Sequence, residues 1–150
     1  EDFIIPNIGI GCESHDRNIK DVSISGSAFV ITGPDSDSMI KTREFVRSQV
    51  AFYSSTPTYS KVLETHGWGD IAKELNRLSS SGNFKDMPEL ITDEILETVA
   101  IIGAPNEIAP LAAKKYSGLL DRINFYLPFD SNMSPEMSYW WKNTIKAIQS

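Results

Sequence analysis

Arg43 to Asp70 reads REFVRSQVAFYSSTPTYSKVLETHGWGD, and two helices set back to back follow from it. The first carries Met39, Val46, Val50 and Tyr53 on one stripe, interrupted by Arg43. The second is more sharply bounded. Thr56 is placed to act as its N-cap, and Pro57 takes the first helical position, where a missing N–H costs nothing. Tyr59, Val62, Leu63 and His66 then recur at i, i+3, i+4 and i+7, which is one helical face. Gly67 stops the helix, because glycine enters the left-handed C′ conformation cheaply. Trp68, Gly69 and Asp70 form a tight connector into a third helix, with Ile71, Leu75 and Leu78 on one face.

Upstream, Glu1 to Cys12 has five large apolar side chains broken by Pro6, Gly9 and Gly11, so a weak helix competes with an extended segment. Glu13 to Asp21 reads as a loop. Val22 to Thr32 is the clearest strand: serines alternate with apolar residues, then Ala28-Phe29-Val30-Ile31 is continuously apolar. Such a run suits a strand buried on both faces of a parallel sheet. Gly33-Pro34-Asp35 ends it, and Asp35 or Ser36 can cap the helix that follows.

Downstream, Ser79 to Asn83 is a breaker and Pro88 interrupts a short segment. Thr92 can cap a helix through Ile95, Leu96 and Val99. Ala100-Ile101-Ile102-Gly103 reads as a short apolar stretch ending in a turn. Pro105 opens another helix, with Ile108, Leu111 and Ala112 inward, and Pro110 should kink or restart it. Gly118 closes that helix. Leu119 to Leu127 reads as a second strand, with Ile123, Phe125 and Leu127 on one face, and Pro128-Phe129-Asp130 ends it. Ser134 and Pro135 start a last helix with a stripe of Met137, Trp140, Trp141, Ile145 and Ile148. Helical crossovers between strands predict a parallel α/β arrangement.

Three of these segments carry a resemblance. SGSAFVITG (Ser25 to Gly33), AFYSSTPTYSKVLETHGWGD (Ala51 to Asp70) and IIGAPNEIAPLAAKKYSGLLDRINFYLP (Ile101 to Pro128) are similar to the C-terminal part of the luciferase-like flavin and deazaflavin oxidoreductases. Within that family they most resemble the branch assigned to coenzyme F420. Ala104 departs from the pattern, since the family usually places a hydroxyl-bearing cap before the proline that follows. The resemblance implies the C-terminal part of a (β/α)8 TIM barrel, about its last two βα units, helix-rich and incomplete as a lone chain. A complete barrel needs about 250 residues, and this chain has 150, beginning Glu1-Asp2-Phe3 with no initiator Met. The expected organisation is one unit over 1–150. A helix end and loop fill 1–21, a strand plus helices 22–100, and a helix, last strand and last helix 101–150.

Composition bounds the function. The net charge is −6 and no basic run exceeds Lys114-Lys115, so the basic footprint of a nucleic-acid binder is missing. No apolar run is long enough to span a membrane. The single cysteine, Cys12, excludes an internal disulfide and a cysteine-rich metal site. A cytoplasmic location is the expectation.

Candidate chemistry is sparse. His66 beside Trp68 could line a substrate mouth, since barrel active sites lie at the C-terminal ends of the strands. The competing reading is a helix-end or core histidine satisfied by a backbone carbonyl. Tyr53, Ser54, Ser55, Thr56 and Tyr59 gather hydroxyls at a helix–helix junction, for substrate or simply for capping and packing. Thr32 and Gly33 are the candidates for cofactor contact after the first strand, and Asp130 would repel a phosphate after the second. No GxGxxG, Walker or GxSxG pattern occurs. Trp140 with Trp141 reads as packing, Glu94 with Glu97 as a solvated face, and His15 as a loop residue without metal spacing. No metal is expected.

Two functions follow. In the first, the chain is part of a luciferase-like monooxygenase or oxidoreductase. Such an enzyme moves hydride between a small organic substrate and a flavin or deazaflavin, coenzyme F420 or FMN. The resemblance places most cofactor contacts on earlier strands, so this piece alone is expected to be inactive, to bind no cofactor tightly and to self-associate through exposed barrel faces. In the second, it is a non-catalytic, mostly helical interaction domain.

Overall fold

The structure is a computed structural model describing residues 4–127 and 132–149. Helix α1 (Ile4–Glu13) resolves the first ambiguity in favour of helix, although only Cys12 is buried on it. A 3-10 turn over Ile19–Asp21 follows, capped by the Asn18 side chain. Strand β1 runs over Ser25–Ile31. Its start is held at Ile24, whose N–H donates to Asp121 Oδ2 at 2.7 Å.

Helix α2 (Ser36–Ser54) is capped by Asp35, which accepts from the Ser38 N–H at 2.8 Å. Helix α3 (Pro57–Thr65) has Pro57 at its start, as predicted. The Thr56 side chain, however, makes no capping bond, which corrects its expected role. Gly67, at φ +81°, ends the helix in the left-handed region. Helix α4 (Gly69–Ser80) buries Ala72, Leu75 and Leu78. A 3-10 turn over Met87–Leu90 leads to α5 (Asp93–Val99), capped by the Thr92 hydroxyl.

The next segment needs correcting. Ala100–Ile102, read as a short apolar stretch before a turn and not counted as a strand, is a third strand, β2. A 3-10 turn over Pro105–Glu107 then passes into α6 (Ile108–Tyr116), so Pro110 falls in the first turn of a restarted helix, where no backbone donor is lost. Strand β3 covers Arg122–Tyr126. Helix α7 (Pro135–Gln149) is capped by Ser134, which accepts from Met137 N–H at 3.1 Å. The expected turn at Pro128-Phe129-Asp130 lies outside the described residues.

The expected class holds in part: the chain is helix-rich α/β with a small parallel sheet, the content of part of a barrel, while its strand order differs from a barrel's. Among the described residues the sheet has three strands where two were expected, in the order β2-β1-β3. Both pairings are parallel, Phe29 opposite Ala100 on one side and Phe29 opposite Tyr126 on the other. A barrel's strands follow one another in chain order. Here the chain steps to one side of β1 for β2 and returns past it for β3. Right-handed crossovers in opposite directions put their helices on opposite faces, and the packing agrees.

On one face, Ile31 and Ala100 join Val46 and Val50 of α2, Leu75 of α4 and Ile95 of α5. On the other, Ala28, Val30 and Ile101 join Ile108 and Ala112 of α6, with Phe125, Trp140 and Trp141 packed against them. The alternation of side chains along β1 therefore feeds two cores. Ile145, assigned to the apolar stripe of α7, is instead 47% exposed. Charged side chains tie the layers at their rims. Arg47 donates to the Ile91 carbonyl and pairs with Asp93 at 2.8 Å, with Arg43 adding a second contact at 3.2 Å. Lys115 reaches back to the carbonyls of Thr98 and Ala100. Burial pushes its ammonium below the usual lysine range.

Candidate functional site

The predicted hydroxyl cluster is partly assembled, around two phenols. Tyr53 lies on the last turn of α2, four residues after Gln49, so both share a helical face. Tyr126 ends β3 directly opposite Phe29 of β1, so both rings rise from the same face of the sheet. The Tyr126 hydroxyl donates to Gln49 Oε1 at 3.2 Å. Its oxygen is then left to accept, and Tyr53 donates to it at 3.1 Å. That donated bond favours the neutral phenol, and with burial and the neighbouring phenol it raises the Tyr53 pKa above the ordinary value of 10.0. With its pKa raised, Tyr53 stays a neutral phenol that can orient a polar group but cannot act as a base at neutral pH.

Around these hydroxyls the rings pack at angles. Phe29 and Tyr126 meet edge to face at 5.2 Å, Tyr53 and Tyr59 at 5.9 Å, and Tyr53 and Tyr126 at 6.1 Å. Such contacts are favourable for quadrupolar rings. Sequence reading found Tyr53 and Tyr59 but missed Tyr126, Gln49 and Phe29. A signal for Tyr126 existed: with Ile123, Phe125 and Leu127 on one face of β3, Tyr126 has to project from the other.

The other candidates do not converge on this place. Ser54 and Ser55 are buried. The Ser55 hydroxyl donates to the Phe52 carbonyl at 2.7 Å, and the Ser55 carbonyl accepts from Asn76. They close the junction rather than face a ligand. Thr56 is exposed. His66 is exposed at the far end of α3, roughly 13 Å of helix away. That corrects its assignment to the buried face, where only Leu63 is covered. His66 stacks on Trp68 with ring centres 5.0 Å apart, and Trp68 packs against the first core. His15 is bonded locally to Ser14 and Gly11. Glu94 and Glu97 are exposed, as expected.

Thr32 and Gly33 stand at the carboxyl end of β1, under the first turns of α2. The Thr42 hydroxyl donates to the Thr32 carbonyl at 3.0 Å. Tyr53 lies roughly 16 Å further along that helix. A Cβ on Gly33 would stand 2.5 Å from Ser38 Cβ, so glycine is there to let α2 sit against the strand end. Among the described residues no group of three or more His, Cys, Asp or Glu is placed to hold a metal ion. Nor is any helix among them long and apolar enough to cross a membrane.

A family model described as luciferase-like monooxygenase matches residues 3–122. The chain belongs to the luciferase-like monooxygenase family. An uncharacterized protein of Mycobacterium tuberculosis strain H37Rv and another of Mycobacterium bovis are each 40% identical to it over 115 residues. The match covers 77% of this chain and 33% of each relative. The chain thus spans about a third of the length of the curated relatives it matches.

The family commonly binds flavin-type cofactors, each a planar ring system with a phosphate-bearing tail. Residues at the end of β1 do not fit such a tail. The first turn of α2 carries Asp35 and Asp37, and Asp35 already takes the Ser38 N–H. A side chain at position 33 would collide with Ser38, so only glycine fits there. The phenols pack on one another at angles.

Proposed function

We propose that the longer protein to which this segment corresponds is a flavin- or deazaflavin-dependent oxidoreductase transferring hydride to or from a small organic substrate. The family membership supports the oxidoreductase class, and the resemblance of Ala51 to Asp70 and Ile101 to Pro128 supports the coenzyme F420 branch over FMN. This chain supplies the last βα units of the barrel and, through Tyr53, Tyr59 and Tyr126, hydroxyls for the substrate side. The cofactor's phosphate is held elsewhere, and the single observation that carries this is the acidic start of α2, with Asp35 as its cap and Asp37 in its first turn. Self-association belongs to the same reading. Both faces of the sheet carry helices, so the surfaces available to it include the outer edges of β2 and β3 and exposed apolar side chains such as Ile4, Ile10, Phe84 and Tyr139.

The second reading, a non-catalytic interaction domain, draws its support from those two covered faces, which let the chain stand as a unit of its own. A fluorescence titration with FMN and with coenzyme F420, on the peak from gel filtration with light scattering, separates them. A self-associating chain that binds neither fits the oxidoreductase segment. A compact monomer that binds neither favours the interaction domain. Micromolar binding of either cofactor would overturn the assignment of its cradle to residues outside this chain.

A further inference from the structure

The two outer edges of the sheet, β2 and β3, are not alike. In a parallel ladder, alternate residues of a strand turn both N–H and C=O toward the same neighbour. The Gly103 N–H donates to the Ile31 carbonyl at 3.2 Å, so Ile101 shares that direction, toward β1, while Ala100 and Ile102 turn their backbone outward. That outer edge is already plugged. Lys115 donates to the Ala100 carbonyl at 3.1 Å and to the neighbouring Thr98 carbonyl at 2.6 Å. Lysine on a strand edge is a common guard against further pairing.

The β3 edge is open. The Arg122 N–H donates to the Ile24 carbonyl at 3.2 Å. Arg122, Asn124 and Tyr126 therefore turn their backbone toward β1, and Ile123 and Phe125 turn theirs away. Among the described residues nothing bonds those outward groups. They are self-complementary. A two-fold axis through Asn124 sets β3 antiparallel to β3 of a second copy and pairs all 5 residues of the strand. Ile123 then meets Phe125 of the second copy, outward backbone against outward backbone, and the two exchange both hydrogen bonds. Asn124 meets its own counterpart as a non-hydrogen-bonded pair. Arg122, exposed and the strand's one charged residue, comes opposite the Tyr126 ring of the second copy. That is a favourable cation–ring contact, and it leaves no like charges opposed.

We propose that the chain forms a closed dimer in which β3 pairs antiparallel with β3 of a second copy about Asn124, joining two 3-stranded sheets into one. Resting on the self-association read above, this pairing gives it a definite surface. An isologous contact of this kind uses the open edge of each copy and stops there. Were β2 open as well, β2 of one copy could pair with β3 of the next, a heterologous contact that runs on into filaments. Lys115 limits the assembly to two.

Cysteine cross-linking of the whole chain tests the register. In a non-hydrogen-bonded antiparallel pair the two Cα atoms stand about 4.5 Å apart, within the span of a disulfide. In Arg122→Cys the two thiol-bearing positions would lie roughly 13 Å apart along the strands. Under mild oxidation Asn124→Cys should therefore link into a covalent dimer at least about tenfold faster than Arg122→Cys. The parent chain, with its buried Cys12, should stay unlinked. Lys115→Met should open the β2 edge and add species larger than the dimer in light scattering. A monomeric parent chain would overturn both this pairing and the self-association it rests on. A dimeric parent whose Asn124→Cys variant links no faster than Arg122→Cys would overturn the β3 pairing alone. Lys115→Met that stops at the dimer would remove Lys115 as the guard of β2, and should that variant fail to fold, the cysteine pair decides.

Discussion

Tyr126 gives its proton to Gln49, which obliges Tyr53 to donate to Tyr126. Tyr126→Phe removes both bonds while leaving the ring that Phe29 packs against. The expected cost is about 1–2 kcal/mol, read as a fall in the urea midpoint at unchanged slope; an unchanged midpoint would mean that water replaces both bonds without loss. Carboxylates give a second prediction at this scale. Arg47 beside Asp93, with Arg43 nearby, holds that carboxyl below its ordinary value of 3.8, and the Ser38 bonds do the same for Asp35. A folded-state pKa below the unfolded one adds stability at higher pH and loses it as pH falls through the folded value. The melting temperature should therefore be level from neutrality down to about pH 4 and fall below that. Asp93→Asn should make the fall shallower, and an identical acid profile would exclude the Arg47 pair as a contributor. None of the long-range partners was legible beforehand. Gln49 and Tyr126 are 77 positions apart, and only the folded backbone brings them together.

Element boundaries were far more legible, because their causes are local. Asp35, Thr92 and Ser134 cap helices through donors three residues on, which is a pattern a linear chain displays. Pro110 restarts a helix for an equally local reason. Thr56 failed as a cap although its spacing was right, since a side chain with solvent on hand need not bond its own helix. His66 failed because the i+7 position lies where α3 has already ended at Thr65. The joint between β1 and α2 makes a prediction of its own. Gly33→Ala would drive a Cβ to 2.5 Å from Ser38 Cβ and 2.8 Å from Met39 N. The helix start must shift, at about 1–3 kcal/mol. Gly11→Ala is the control. It sits within α1 with nothing inside 4 Å, so it should stabilise by about 0.5–1 kcal/mol. Urea denaturation of both variants checks the contrast; equal midpoints would show that α2 is not seated on Gly33.

At the scale of the molecule, β1 joins two cores by alternate side chains. Ile31 belongs to one and Ile108 to the other, both fully buried. Because the shared strand couples them, Ile31→Ala and Ile108→Ala should each cost about 2–5 kcal/mol and lower the same calorimetric transition. Two separate transitions in either variant would mean that the layers unfold independently.

What the sequence determined by itself was the succession of helices and strands, their caps, and membership of a luciferase-like family. Each rests on neighbours a few residues apart or on whole motifs such as Ala51 to Asp70. The tertiary structure decided the order β2-β1-β3, the helices on both faces and the Tyr53–Tyr126–Gln49 chain. These depend on pairings between distant segments. A three-residue strand such as Ala100–Ile102 carries too little pattern to announce its partner until parallel hydrogen bonding and burial on both sides select it.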